Sequence, residues 1–228
     1  SLRGSSNSHV AILTEAMGVP SVMGTENLPL EVLEGKAVVV DGFNGIVITD
    51  PTEDQRRVYE RIQKEEEQLA EGLSELKSEP PETLDGHLIR LSVNTGLTTD
   101  VTTSLDRGAE GVGLYRTEFQ FMMKDRFPTE EEQYGIYREH LSAFAPNPVT
   151  MRTLDIGGDK SLTYFPIEET NPFLGWRGIR VSLDHPELFL SQVRAMIRAC
   201  ENTDAYLRIM LPMVSSVAEV DEAQRLIS

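Results

Sequence analysis

The side chains best suited to chemistry are one histidine and three arginines: His9, Arg116, Arg152 and Arg177. His9 stands in Gly4-Ser5-Ser6-Asn7-Ser8-His9-Val10-Ala11-Ile12-Leu13, a run that closes at Met17-Gly18-Val19-Pro20. Asn7 and Ser8 are good helix caps, Val10, Leu13 and Met17 share one face at helical spacing, and Gly18 with Pro20 ends the helix. A histidine in a first turn lies beside unpaired backbone N–H groups and the positive end of the helix dipole. That setting favours a neutral ring and any anion attached to it. A neutral ring nitrogen is a competent nucleophile near pH 7, and a phosphoryl group accepted there would meet donors at once. The same position also suits a capping or packing histidine, and the local pattern alone does not separate the two.

Each arginine lies at or beyond the C-terminal end of a predicted strand. Arg116 follows an apolar run over 111–115, Arg152 lies near the end of a run over 149–154, and Arg177 sits in the long loop that follows. In parallel α/β architectures these strand ends form the active face. A guanidinium presents a planar fork of donors that fits carboxylate or phosphate bidentately, so three of them suit a small ligand bearing both groups. The alternative is that Arg116-Thr117-Glu118 and Arg152-Thr153-Leu154-Asp155 form internal salt bridges.

The elements that position these residues follow from composition and periodicity. Residues 21–24 are expected as a short strand, and 36–49 as a hairpin whose turn is Asp41-Gly42-Phe43-Asn44-Gly45. Over 53–79 the chain becomes dense in Glu, Lys, Gln and Arg, with Val58, Ile62, Leu69, Leu73 and Leu76 on one stripe. This is a long helix capped by Thr52 and stopped by Pro80-Pro81. Beyond it, strands are expected over 88–93, 111–115, 149–154 and 205–211, and helices over 98–107, 129–144, 186–199 and from Ser215 onward. Four βα units in succession require a parallel sheet with right-handed crossovers, either a doubly wound sheet or half of a (β/α)8 barrel.

Composition excludes several classes. A formal charge of −16 argues against a general binder of nucleic acid or of membrane surfaces, so any anionic ligand must be held by a few focused cations. One cysteine, Cys200, excludes an internal disulfide and reads as a buried filler. No apolar run is long enough for insertion into a bilayer, and a cytoplasmic protein is the default. Gly157-Gly158-Asp159-Lys160 resembles a phosphate-cradling loop, but no helix follows at once, so it is not read as one. His87, His140 and His185 lack partners at metal-ligand spacing and are expected at the surface or at helix caps. The chain starts at Ser1 and its last helix lacks a terminator, so an internal fragment is expected.

The motifs themselves resemble a known family. Ser8-His9-Val10-Ala11-Ile12-Leu13 with Gly18-Val19-Pro20 and Gly24 is similar to the phosphohistidine motif of enzyme I of the bacterial phosphotransferase system, phosphoenolpyruvate synthase and pyruvate phosphate dikinase. Gly111-Val112-Gly113-Leu114-Tyr115-Arg116-Thr117-Glu118-Phe119, the Arg152 to Lys160 run and Asn171-Pro172-Phe173-Leu174-Gly175-Trp176-Arg177 look like enzyme I in particular, and the likeness spans essentially the whole chain. Asn7-Ser8-His9 leans toward its nitrogen-regulatory paralogue.

The resemblance implies an α/β chain in three parts: over 1–50 the end of a swivelling phosphohistidine β/β/α domain, over 51–81 a helical linker, and over 82–228 the first half of a (β/α)8 TIM barrel that binds phosphoenolpyruvate. It implies that His9 accepts the phosphoryl group and passes it to a histidine phosphocarrier protein, HPr or its nitrogen-branch counterpart. Arg116, Arg152 and Arg177 match the family's substrate-binding arginines. Mg2+ is implied as cofactor with ligands outside this chain, so the fragment alone is expected to be inactive; the full-length protein is implied to be a homodimer. The other readings are a synthase or dikinase fragment and a non-catalytic module that uses His9 as a phosphorylation-dependent contact.

Overall fold

The computed structural model describes residues 14, 18–25, 33–96, 100–157, 160, 162–171 and 174–228, and the chain divides into two units, Ser1–Pro80 and Pro81–Ser228. His9 and most of its expected helix lie outside the described residues.

In the first unit the Asp41 carboxylate accepts hydrogen bonds from the Asn44 backbone N–H and side-chain amide, both at 2.8 Å, which pins the turn. Strands β1 (Val38–Asp41) and β2 (Ile46–Thr49) pair antiparallel from Val38↔Thr49 to Asp41↔Ile46, the hairpin expected from the sequence. Residues 21–24 do not form the expected strand. Pro20 offers no donor and Gly24 turns at φ +69°, so too few extended residues remain between them to pair. Helix α1 (Glu53–Glu75) begins where Thr52 Oγ1 accepts the Gln55 N–H and the Gln55 side chain returns a bond to the Thr52 N–H, a reciprocal cap. Its last turn tightens into a 3-10 segment, Leu76–Ser78, before Pro80-Pro81, so the α-helix closes earlier than expected. Val58, Ile62, Leu69, Leu73 and Leu76 are all exposed.

The second unit is built on four parallel strands in simple sequential order: β3 (Val93–Thr95), β4 (Val112–Arg116), β5 (Pro148–Arg152) and β6 (Tyr206–Met210). A doubly wound sheet reverses strand order at a switch point. These strands do not reverse, which is the arrangement of successive strands in a TIM-type barrel. Between them run α2 (Asp100–Asp106), the short α3 (Glu118–Met122), α4 (Glu130–Phe144), α5 (Ile179–Asp184) and α6 (Pro186–Cys200), and α7 (Val217–Ile227) follows β6. Helices α3 and α5 escape sequence reading because runs of five and six residues carry too little periodicity.

The expected strand over 88–93 is a correction: β3 starts only at Val93, where that run ends, and continues to Thr95. Leu88 bridges back to Glu82 and the Ile89 N–H bonds Pro81 O at 2.7 Å, so the start of that run is tied to its own turn instead of the sheet.

Alternation along β5 decides which side chains face the helices. Val149 and Met151 are fully buried against Tyr137, Leu141 and Phe144 of α4 and Met196 of α6, whereas Thr150 and Arg152 are half-buried on the opposite face. His140 is a correction to its expected surface or capping position. It is fully buried on the inward stripe of α4, its ring centroid 4.3 Å from that of Tyr115. Nδ1 lies 2.9 Å from Ile136 O, and since a carbonyl only accepts, Nδ1 carries the proton. His87 is exposed, His185 joins α5 to α6 as a capping residue, and Cys200 is half-buried.

Candidate functional site

The chain turns sharply at the ends of β4 and β5, and those turns gather the charged residues. Arg116 and Arg152 end adjacent strands in register with each other. Thr117 Oγ1 donates to Arg152 O at 2.8 Å, fastening the exit of β4 to the end of β5. One residue further, Glu118 opens α3 and is fully buried. Its Oε1 accepts from both Arg152 Nη2 and Lys160 Nζ at 2.5 Å. Its Oε2 and the Arg152 Nε are buried with no partner among the described residues.

Asp155, three residues past β5, receives the remaining cations. Arg177 binds it through two parallel bonds, Nε to Oδ1 at 2.9 Å and Nη2 to Oδ2 at 3.1 Å. Arg152 Nη1 and Lys160 Nζ approach Oδ2 at 3.2 and 3.5 Å. Burial pushes the Asp155 carboxyl up, but the Arg177 hydrogen bonds and the charges of Arg152, Lys160 and Arg177 outweigh it, and the group is held below the ordinary value of 3.8.

Lys160 reaches the site through a tight turn in which Gly157 N donates to Lys160 O at 3.0 Å and Lys160 N donates to Gly157 O at 3.2 Å. Gly157 holds φ +120°, and a Cβ there would stand 3.2 Å from Arg177 Cβ. No phosphate-cradling helix follows; the next described pairing is Leu162↔Phe165. Arg177 is positioned by its own loop. Glu169 accepts the Asn171 and Trp176 N–H groups at 3.2 and 3.0 Å, and Arg180 Nη1 donates to Gly175 O at 2.6 Å.

Arg152 and Arg177 therefore meet around Asp155, and Arg116 stands beside Arg152, exposed, with no hydrogen bond or ion pair among the described residues. The salt-bridge alternative holds for Arg152, which pairs with Asp155 and also with Glu118, and not for Arg116, which makes no ion pair with Glu118 among the described residues. Lys160, Glu118 and Asp155 join the arginines there although the sequence singled out only the arginines; the signal was their position within a few residues beyond the ends of β4 and β5. Among the described residues, four cations (Arg116, Arg152, Lys160 and Arg177) stand against two carboxylates (Glu118 and Asp155) at one end of the sheet, in a chain whose overall charge is −16.

Comparison with known proteins gives these residues a context. A sequence profile described as PEP-utilising enzyme, PEP-binding domain, matches residues 70–228. The chain belongs to the PEP-utilising enzyme family. A second profile, PEP-utilising enzyme, mobile domain, matches residues 1–45. Among individual members of the family, the chain is 46% identical over 224 residues to the "Phosphoenolpyruvate-dependent phosphotransferase system" protein of Escherichia coli (strain K12), covering 98% of this chain and 30% of that relative. It is 41% identical over 225 residues to the "Phosphoenolpyruvate-protein phosphotransferase" of Staphylococcus carnosus (strain TM300) and 42% identical over 227 residues to that of Staphylococcus aureus, covering 98% of this chain and 39% of each relative. The chain thus spans 30 to 39% of the length of these relatives.

The Mg2+ implied by the resemblance does not fit the described residues. Among them no group of three or more His, Cys, Asp or Glu side chains could hold a metal ion. The two carboxylates at the site are already engaged by Arg152, Lys160 and Arg177. Among the described residues, no helix is long and apolar enough to cross a membrane.

Proposed function

We propose that this chain binds phosphoenolpyruvate at the ends of β4 and β5, through Arg116, Arg152, Lys160 and Arg177, and that the phosphoryl group passes to His9. The observation that carries the reading is that, among the described residues, four cations stand against two carboxylates, with the Arg116 side chain unpaired and the Arg152 Nε buried without a partner. A small dianion or trianion bearing both a carboxylate and a phosphate satisfies both, and the family membership supports it.

The carboxylate cage supplies preorganisation. Glu118 and Asp155 fix three cations before any ligand arrives, so the site needs little rearrangement as charge shifts from phosphate toward the leaving enolate. Transfer would proceed in line, with His9 as a neutral nucleophile. Onward transfer to a histidine phosphocarrier protein belongs to the same proposal, by likeness to the phosphotransferase relatives.

Calorimetric titration of this chain with phosphoenolpyruvate tests the reading. Arg116→Ala is expected to weaken binding at least about tenfold while changing stability by no more than about 0.5 kcal/mol, because Arg116 holds nothing else in place. Arg152→Ala should lose binding and also about 3 kcal/mol of stability, because it leaves buried Glu118 short of a partner. Undetectable binding by the unsubstituted chain, or unchanged affinity in Arg116→Ala, would overturn the proposal.

A further inference from the structure

The charged residues of the site sit on two separate turns, after β4 and after β5, and one side chain outside the site touches both. Gln192, on the inward face of α6, is 1% exposed. Its Oε1 accepts the Leu154 N–H at 2.8 Å. Its Nε2 donates to Thr117 Oγ1 and to Tyr137 Oη, both at 3.1 Å. Thr117 lies between Arg116 and Glu118, and Leu154 immediately precedes Asp155. Thr117 Oγ1 passes the link on to Arg152 O, and Tyr137 Oη passes it to Gln133 Oε1 at 3.1 Å, whose amide ends on Pro128 O at 3.1 Å.

Every polar atom of the Gln192 amide is thereby used, one acceptor and two donors, in an almost fully buried side chain. The requirement is specific to a primary amide. A carboxylate of the same shape would supply the acceptor and lose both donors, and a thioether or alkyl chain of similar volume would supply neither. The three bonds fall on three different elements: the turn after β4, the turn after β5, and α4. Packing of α6 against the sheet is already provided by Phe189, Val193, Ala195 and Met196. The amide is not needed to fill that core.

We infer that Gln192 is a positioning residue for the anion site: through Thr117 and Leu154 it fixes the spacing between the turn carrying Arg116 and Glu118 and the turn carrying Arg152 and Asp155. The inference rests on the phosphoenolpyruvate-binding reading above. It contacts no ligand and acts only through the Thr117 hydroxyl and the Leu154 backbone N–H, so its effect must appear in the affinity of a ligand that bridges the two turns.

The test is a double-mutant cycle on this chain, with Gln192→Met and Thr117→Val, reading phosphoenolpyruvate affinity by calorimetry at a temperature where circular dichroism shows each variant fully folded. Gln192→Met keeps the volume and removes all three bonds. Thr117→Val keeps the shape and removes the oxygen that joins Gln192 to Arg152. Each single variant is expected to weaken binding about tenfold, and the double variant to be no more than about threefold worse than the weaker single, since both cut one link. A role confined to stability would lower the melting temperature of both variants and leave the dissociation constant unchanged, which would overturn the inference, as would fully additive losses. If Gln192→Met does not fold, Thr117→Val alone decides by the same criterion. Failure of the unsubstituted chain to bind overturns the underlying functional reading as well; binding by the unsubstituted chain with unaltered variant affinities overturns only the role of Gln192.

Discussion

At the scale of single residues, buried carboxylates hold the cations of the proposed anion site in place. Asp155 illustrates how local charge decides a protonation state against burial. Desolvation favours the neutral acid, but Arg177, Arg152 and Lys160 favour the anion more strongly, so the folded-state value lies below the ordinary 3.8. A carboxyl whose value is lowered by folding contributes stability that is fully present above its unfolded value. That contribution is lost as pH falls through the lower folded value. Asp155→Asn is therefore expected to cost about 3 kcal/mol near pH 7, from the cations it leaves buried without compensation. The gap between variant and unsubstituted chain in urea melts should stay constant down to about pH 5 and close as the pH drops below about 4. A gap that widened in acid would show that Asp155 is not held ionised by its neighbours.

At the scale of elements, the turns after the strands do the positioning and the helices do the packing. The turn at Gly157 brings Lys160 back toward Glu118, and its φ of +120° is one that side chains other than glycine rarely adopt. Gly157→Ala would press a methyl group against the Arg177 side chain as well as straining the backbone. The expected outcome is a variant that folds, loses about 1 to 3 kcal/mol of stability, and binds phosphoenolpyruvate more weakly than the stability loss alone would explain. Matched titrations and urea melts on the variant check this, and unaltered affinity would show that Arg177 does not depend on the turn. Helix starts, by contrast, are set locally. Thr129 and Glu132 form a reciprocal cap at α4, and Ser216 and Glu219 do the same at α7, each a pattern visible in the sequence.

At the scale of the whole molecule, the four-stranded sheet has two edges. Among the described residues neither the outer side of β3 nor that of β6 pairs with another strand. Exposed apolar side chains accompany both edges, Leu88, Ile89 and Leu91 ahead of β3 and Tyr206 on β6. Open edges flanked by apolar surface promote association. The isolated chain is therefore expected to sediment as a mixture of sizes that shifts upward with concentration, and a single monomer at every concentration would contradict this. The chain covers only 30 to 39% of these relatives, and phosphoryl transfer by a protein of their length is the setting in which His9 is proposed to act. There His9→Ala should abolish phosphorylation from labelled phosphoenolpyruvate and leave its binding unchanged.

Much of this was legible in the residues alone. Glycine and asparagine at the turn announced the hairpin, a charged stretch between Thr52 and Pro80 announced the long helix, and β-branched runs spaced by helical ones announced the parallel sheet, because each rests on interactions within a few residues. The arginines were recognisable as a candidate group because strand ends in parallel sheets converge, and the structure does bring Arg152 and Arg177 together around Asp155. Tertiary structure alone decided which carboxylate holds which cation. Glu118 is paired to Arg152 across 34 positions and to Lys160 across 42, and Gln192 reaches Thr117 across 75. No local pattern encodes such distances, and His140 was misplaced for the same reason: only the packing of α4 on the sheet reveals that its helical stripe is buried. Sequence determined which chemistry the chain can carry, through residue types at strand ends. The fold decided the geometry that makes it a site, since hydrogen bonds between distant segments exist only once the sheet has brought them together.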